Sequence, residues 1–134
     1  MRRTLSAGIL LIVLAASESL AGTPEDVTPP NSELCDGQRQ VCLRGSLTYY
    51  PNPRLLVLNS RVEHAPGPGL LKFQLVGENS DGDKRLTTLE VRIRGNYSEI
   101  VNDKLITDHP DVYSWRLVSI TFESAAQPDD SGGR

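Results

Sequence analysis

Leu89, Val91 and Ile93 alternate with Glu90, Arg92 and Arg94, and the same period of two recurs through the middle of the chain. A strand turns successive side chains to opposite faces, so such alternation marks a sheet with one apolar and one wet face. Leu71, Phe73 and Leu75 repeat it around Lys72 and Gln74, and Val41, Leu43 and Leu47 repeat it around Cys42, Arg44, Ser46 and Thr48. Residues 54–62 (RLLVLNSRV) are apolar on both faces from Leu55 to Leu58, which predicts the most enclosed strand.

The breaks between these runs read as turns. Tyr50-Pro51-Asn52-Pro53 ends the first run, because proline has no N–H for a ladder and restricts the residue before it. Ala65–Gly69 reads as a long Pro/Gly loop and Asn79–Asp83 as a hairpin turn. In the last run Tyr113, Trp115 and Leu117 are odd while Val118, Ile120 and Phe122 are even, so the apolar phase flips between Leu117 and Val118. A β-bulge there keeps both sets on the core side. From Asn96 to Thr107 the pattern fades. Asn96 and Glu99 suit a capping box opening a short helix, and the same residues also suit a sixth strand. The fold expected is all-β and mostly antiparallel: a small curled five-strand OB-like barrel with one short helix, or alternatively a small β-sandwich.

The two ends differ from this middle. Arg2 and Arg3, an apolar run from Ala7 to Ala16, and Ser19-Leu20-Ala21 follow the order of an export signal, with cleavage expected after Ala21. The run is shorter than the roughly 20 residues a spanning helix needs, so no stable membrane insertion is expected after cleavage. Residues 22–34 read as a flexible acidic, Pro-rich arm, 35–124 as one β-domain and 125–134 as a disordered tail. The chain's net charge is −3, and removing Arg2, Arg3 and Glu18 makes it −4. From Cys35 to Glu123 there are 11 basic and 11 acidic side chains. A neutral domain with acidic ends does not suit generic binding to nucleic acid or anionic membranes. The expected location is periplasmic or secreted, in a bacterial host.

Cys35 and Cys42 are the only cysteines, spaced C-x6-C around Asp36-Gly37. In an oxidising compartment this predicts a structural disulfide, worth roughly 2–3 kcal/mol for so short a ring. With Val41 and Leu43 facing inward, Cys42 is expected to point away from the core. The spacing is not the C-x-x-C of redox pairs, and His64 and His109 stand at no recognised zinc spacing. The sequence implies no cofactor and no metal.

Candidate chemistry is sparse. Asn79–Asp83 resembles a calcium loop, but aligning Gly82 to the obligatory glycine leaves Gly77 and Thr88 where oxygen ligands belong. His109 between Asp108 and Asp111 has the composition of a general base with its orienting acid, and also that of an ordinary turn. Arg92 and Arg94 share a strand face that an OB-like module would offer to a glycan or nucleic acid. Asn96-Tyr97-Ser98 is a formal glycosylation sequon. Tyr49, Tyr50 and Asn52, beside a proline-stiffened loop, resemble rigid interface anchors, or else the tyrosines cap the end of the core.

These readings converge on an exported, non-enzymatic β-domain that binds another envelope or extracellular component, a protein, in an inhibitor, immunity or assembly-factor role. The loops Tyr49–Pro53 and Ala65–Gly69 would carry the contact. The alternatives are the glycan or nucleic-acid module using Arg92 and Arg94, and a small hydrolase using Asp108, His109 and Asp111.

Overall fold

The computed structural model describes residues 23–125. The expected export signal, and the tail beyond Ala125, lie outside the described residues. The strands are β1 (Glu25–Asp26), β2 (Ser32–Cys35), β3 (Cys42–Tyr50), β4 (Leu55–His64), β5 (Gly69–Glu78), β6 (Lys84–Ile93), β7 (Ile100–Ile106) and β8 (Trp115–Ser124). All pairings are antiparallel. In the first sheet β1 and β2 lie end to end along one edge of β3, followed by β4 and β7. The second sheet has the order β6-β5-β8.

Two separate sheets therefore stand where a curled five-strand OB-like barrel was expected, and no helix occurs among the described residues. The alternative, two facing layers, describes the arrangement. After His64 the Pro66-Gly67-Pro68 loop carries the chain from one layer to the other, and β5 pairs only with β6 and β8. Residues 100–106 form a strand because β4 offers them a full ladder, Arg61 to Leu55 against Ile100 to Ile106. Local helix preference is easily overridden by such pairing.

One apolar cluster fills the space between the layers. Leu43, Leu47 and Tyr49 of β3 and Leu56, Leu58 and Val62 of β4 meet Leu71, Phe73 and Leu75 of β5, Leu89, Val91 and Ile93 of β6, and Trp115 and Ile120 of β8. The alternation read from sequence sets these faces. The phase flip in β8 is a bulge: Gln74 pairs with Ser119 and Leu75 with Leu117, so Val118 is the extra residue, left 55% exposed. With that slip Leu117, Ile120 and Phe122 all reach the core.

The arm expected from 22 to 34 is not free over its described part. Val27 packs on the core, Leu34 is buried, and the Leu47 N–H donates to Thr28 Oγ1 at 3.0 Å. Together with the β1 and β2 ladders, these contacts seat the segment along β3. Cys35 lies directly opposite Cys42 in the β2–β3 ladder, and the two are bonded. Cys42 is fully buried, contrary to the outward position expected. A register shift between Cys42 and Leu43 puts both of them, with Val41, out of solvent. Asp36 closes the ring's turn, its carboxylate accepting the Val41 N–H at 2.8 Å and the Gln38 N–H at 3.3 Å.

Candidate functional site

The outer face of the first sheet is built in cross-strand rows. Register places Tyr50, Leu55 and Ile106 in one row, Asp26, Thr48, Val57 and Lys104 in the next, then Ser46, Asn59 and Asn102, and finally Glu33, Arg44, Arg61 and Ile100. The first row is apolar and open to solvent: Tyr50 is 36% exposed and Ile106 60%. Over the last two rows lies a cleft of about 650 Å³, walled by Tyr97 and Ser98 from the β6–β7 loop.

That loop is held by Glu99. Its carboxylate accepts the backbone N–H groups of Arg94, Gly95 and Asn96 at 2.8–3.2 Å, and its own N–H donates to the Asn96 carbonyl at 3.0 Å. The Glu99 half of the capping box foreseen is thus present, while the Glu99 N–H goes to the Asn96 backbone carbonyl and not to its side chain, closing a turn. Burial works to raise the Glu99 carboxyl's pKa, but the three backbone donors and the nearby Arg94 charge together hold it below its ordinary value. Ser98 has φ of 64°, a left-handed conformation costly for a residue with a Cβ; its N–H donates to the Val62 carbonyl, and the Val62 N–H donates to the Glu99 carbonyl, each at 2.8 Å.

Because Glu99 titrates lower when folded, its stabilising contribution is complete above the ordinary value near 4.5 and is lost as pH falls through the lowered folded value. Glu99→Gln is expected to cost about 1 kcal/mol at neutral pH, a figure discounted for solvent exposure. Urea unfolding of both proteins down to about pH 3 should show the difference shrinking towards zero. A difference independent of pH would contradict the charged role.

The structure separates the residues singled out from sequence. Tyr49 is fully buried, its hydroxyl donating to the Val112 carbonyl at 3.3 Å and its ring edge-on to Trp115 at 6.5 Å, so it is a core residue and no surface anchor. Tyr50 is on the surface, in the apolar row, and Asn52 is exposed in the adjoining loop. The Tyr49–Pro53 and Ala65–Gly69 segments flank opposite ends of the ten-residue β4, roughly 33 Å apart. They do not make one contact surface.

Arg92 is on the outer face of the second sheet, in a row with Leu70 and Glu123 and beside the Glu90–Lys72 row. Lys72 bridges to Glu123 at 3.2 Å, so the charges there interleave. Arg94 lies just past the end of β6. Asp111 is held by Asn79 and Arg85 at 3.0 and 3.1 Å. The hydrogen bond from Asn79 leads in lowering its pKa, against burial, and Arg85 adds to the effect. His109 leans on Trp115 with ring centroids 6.0 Å apart, and among the described residues no hydrogen bond joins it to Asp108 or Asp111. His64 is at the far end of β4, against the Arg39 carbonyl. Asn79 Oδ1 accepts the N–H groups of Asp81 and Asp83 within its own turn, which occupies the oxygen a calcium loop would use.

Asn59, Arg61, Tyr97, Asn102 and Ile106 were not marked by sequence as a group. The signal present was the polar phase of β4, in which Asn59, Arg61 and Glu63 alternate with Leu58 and Val62. What lies across from that phase depends on strand pairing. No family model, curated protein or solved structure matches the chain.

Proposed function

We propose that the chain is an exported, non-enzymatic binding module whose partner is a protein of the bacterial envelope or exterior, in an inhibitor, immunity or assembly-factor role. The contact is made by the outer face of the first sheet. One observation carries the reading. Of seven large apolar side chains left exposed among the described residues, Tyr50 and Ile106 stand in one row of this face with Leu55, and Tyr97 and Ile100 flank its other end. Exposed apolar groups gathered on one face, edged by polar residues, are the usual mark of a protein contact.

The test is affinity purification from the native envelope followed by mass spectrometry. The double variant Tyr50→Ala/Ile106→Asp is expected to lose a partner that wild type and the control Leu86→Asp retain, since Leu86 is 73% exposed on the other sheet. Retention of that partner at wild-type level by the double variant would defeat the assignment.

A further inference from the structure

Arg44 and Arg61 are directly opposed across β3 and β4. Like charges in that position repel, so a sheet face ordinarily avoids them. Arg44 is compensated: its Nε and Nη2 donate to the two oxygens of Glu63 at 3.0 and 3.4 Å, and its Nη1 to the Asn31 carbonyl at 3.3 Å. Glu33, the remaining acid of that row, is bridged to Arg39 at 3.1 Å. Neither Arg61 nor Lys104 has an ion-pair partner among the described residues. Asp26, at the far edge of the Lys104 row, is likewise without an ion-pair partner among the described residues, so Arg61 is the cation left without an unbridged acid in its own row.

The surroundings of Arg61 offer donors and contact area. Asn102 spends its Oδ1 on the Ser60 N–H at 3.2 Å, which leaves its amide NH2 for a ligand, and Asn59 and Ser46 share its row. Tyr97 is 80% exposed and Ile100 61%. Tyr97 is displayed by the turn that Glu99 and the left-handed Ser98 hold rigid, so little freedom is lost when it is covered.

We propose that this cleft receives the acidic end of an extended protein segment whose other end is apolar. Arg61 takes the carboxylate, Asn59 and Asn102 bond its neighbouring polar groups, and Tyr97 and Ile100 cover its stem. This rests on the protein-partner reading above and adds the chemistry of the partner. Leu55 and Arg61 are six residues apart on β4, about 20 Å in a strand, so a segment of about seven extended residues spans the apolar row and the cleft. The unmatched positive charge argues for acid at the Arg61 end. Aliphatic side chains beside the tyrosine at each end, Ile100 by Tyr97 and Leu55 and Ile106 by Tyr50, favour a peptide with apolar side chains over an acidic glycan.

The test uses isotope-labelled protein and three probes: a heptapeptide with leucines at one end and glutamates at the other, the same peptide with lysines for glutamates, and a galacturonate trimer. The glutamate peptide is expected to move the amide signals of Asn59, Arg61, Tyr97 and Asn102, and to bind more weakly as salt rises. Arg61→Glu should weaken it at least about tenfold, the loss of one charge-assisted contact. The same variant should unfold at no lower temperature than wild type, because it removes the repulsion with Arg44. Equal binding of the lysine peptide, preference for galacturonate, or an unaltered affinity in Arg61→Glu would each overturn the proposal. If the native partner is lost from Tyr50→Ala/Ile106→Asp but kept by Arg61→Glu, the acidic-segment inference falls and the protein-partner reading stands. If both variants keep it, both fall.

Discussion

Tyr49→Ala is expected to lower the free energy of unfolding by about 3–5 kcal/mol, the usual cost of emptying a buried aromatic site. Whole domains are stable by only roughly 5–15 kcal/mol, so this change alone removes a large part of the margin. Tyr49 is fully buried, meets Trp115 edge-on across the two layers, and donates to the Val112 carbonyl. Its loss opens a void against both sheets and frees the loop before β8. Tyr49→Phe keeps the volume and loses only the hydrogen bond, for about 1 kcal/mol. Tyr50→Ala, one residue on and at the surface, should stay within about 0.5 kcal/mol. Urea midpoints with unchanged slope measure all three. Equal, small effects at both tyrosines would mean that Tyr49 is not in the core.

Gly45→Ala is the second large effect, expected at roughly 3 kcal/mol because the crowding is against backbone. A Cβ at Gly45 would run into the Asn59 carbonyl oxygen and stand 2.6 Å from Ser60 Cα. Neither atom can move without shifting β4, the strand that joins β3 to β7. Gly37 is the control, since a Cβ there meets nothing within 4 Å, and Gly37→Ala should change stability by less than about 0.5 kcal/mol. Thermal unfolding of the two variants separates a steric requirement from a general cost of changing glycine. Gly45 also lines the cleft, so a partial shift of β4 in Gly45→Ala would displace Asn59 and Arg61.

How far the sequence could be read depended on whether a feature was local. Strands β5 and β6 are legible because each residue's facing follows from its neighbours two places away. The bulge at Val118 is legible for the same reason, as a phase change within one segment. The disulfide was legible from spacing and the compartment expected, and it joins the predicted pair. Tyr49 was nearly so: carrying the Leu43–Leu47 phase two residues further puts it inside, and the alternative in which the tyrosines cap the core holds for Tyr49 while Tyr50 takes the other face. Asn96 and Glu99 show a different limit. The bond from the Asn96 N–H to the Glu99 carboxylate was foreseen, yet it serves a helix start or a tight turn equally, and the β4 ladder chose the turn.

The candidate site was less legible than the fold. Arg44, Arg61, Tyr97 and Asn102 come from three strands and a loop, and only the pairing register makes them neighbours. Arg92 and Arg94 look like a basic pair along the chain, whereas across the sheet Arg92 stands among Glu90, Lys72 and Glu123.

By itself the sequence determined that the middle of this chain alternates into strands, where those strands turn, where one of them slips, and which cysteines are near enough to bond. Those are consequences of the pleat and of short-range geometry. Tertiary structure alone decided that the strands form two layers instead of a closed barrel, that Tyr49 is inside while Tyr50 is out, and that two arginines face each other beside an exposed tyrosine. A period of two says which residues share a face but not which strand lies alongside, and partners distant in the chain are chosen by the packing of the whole core.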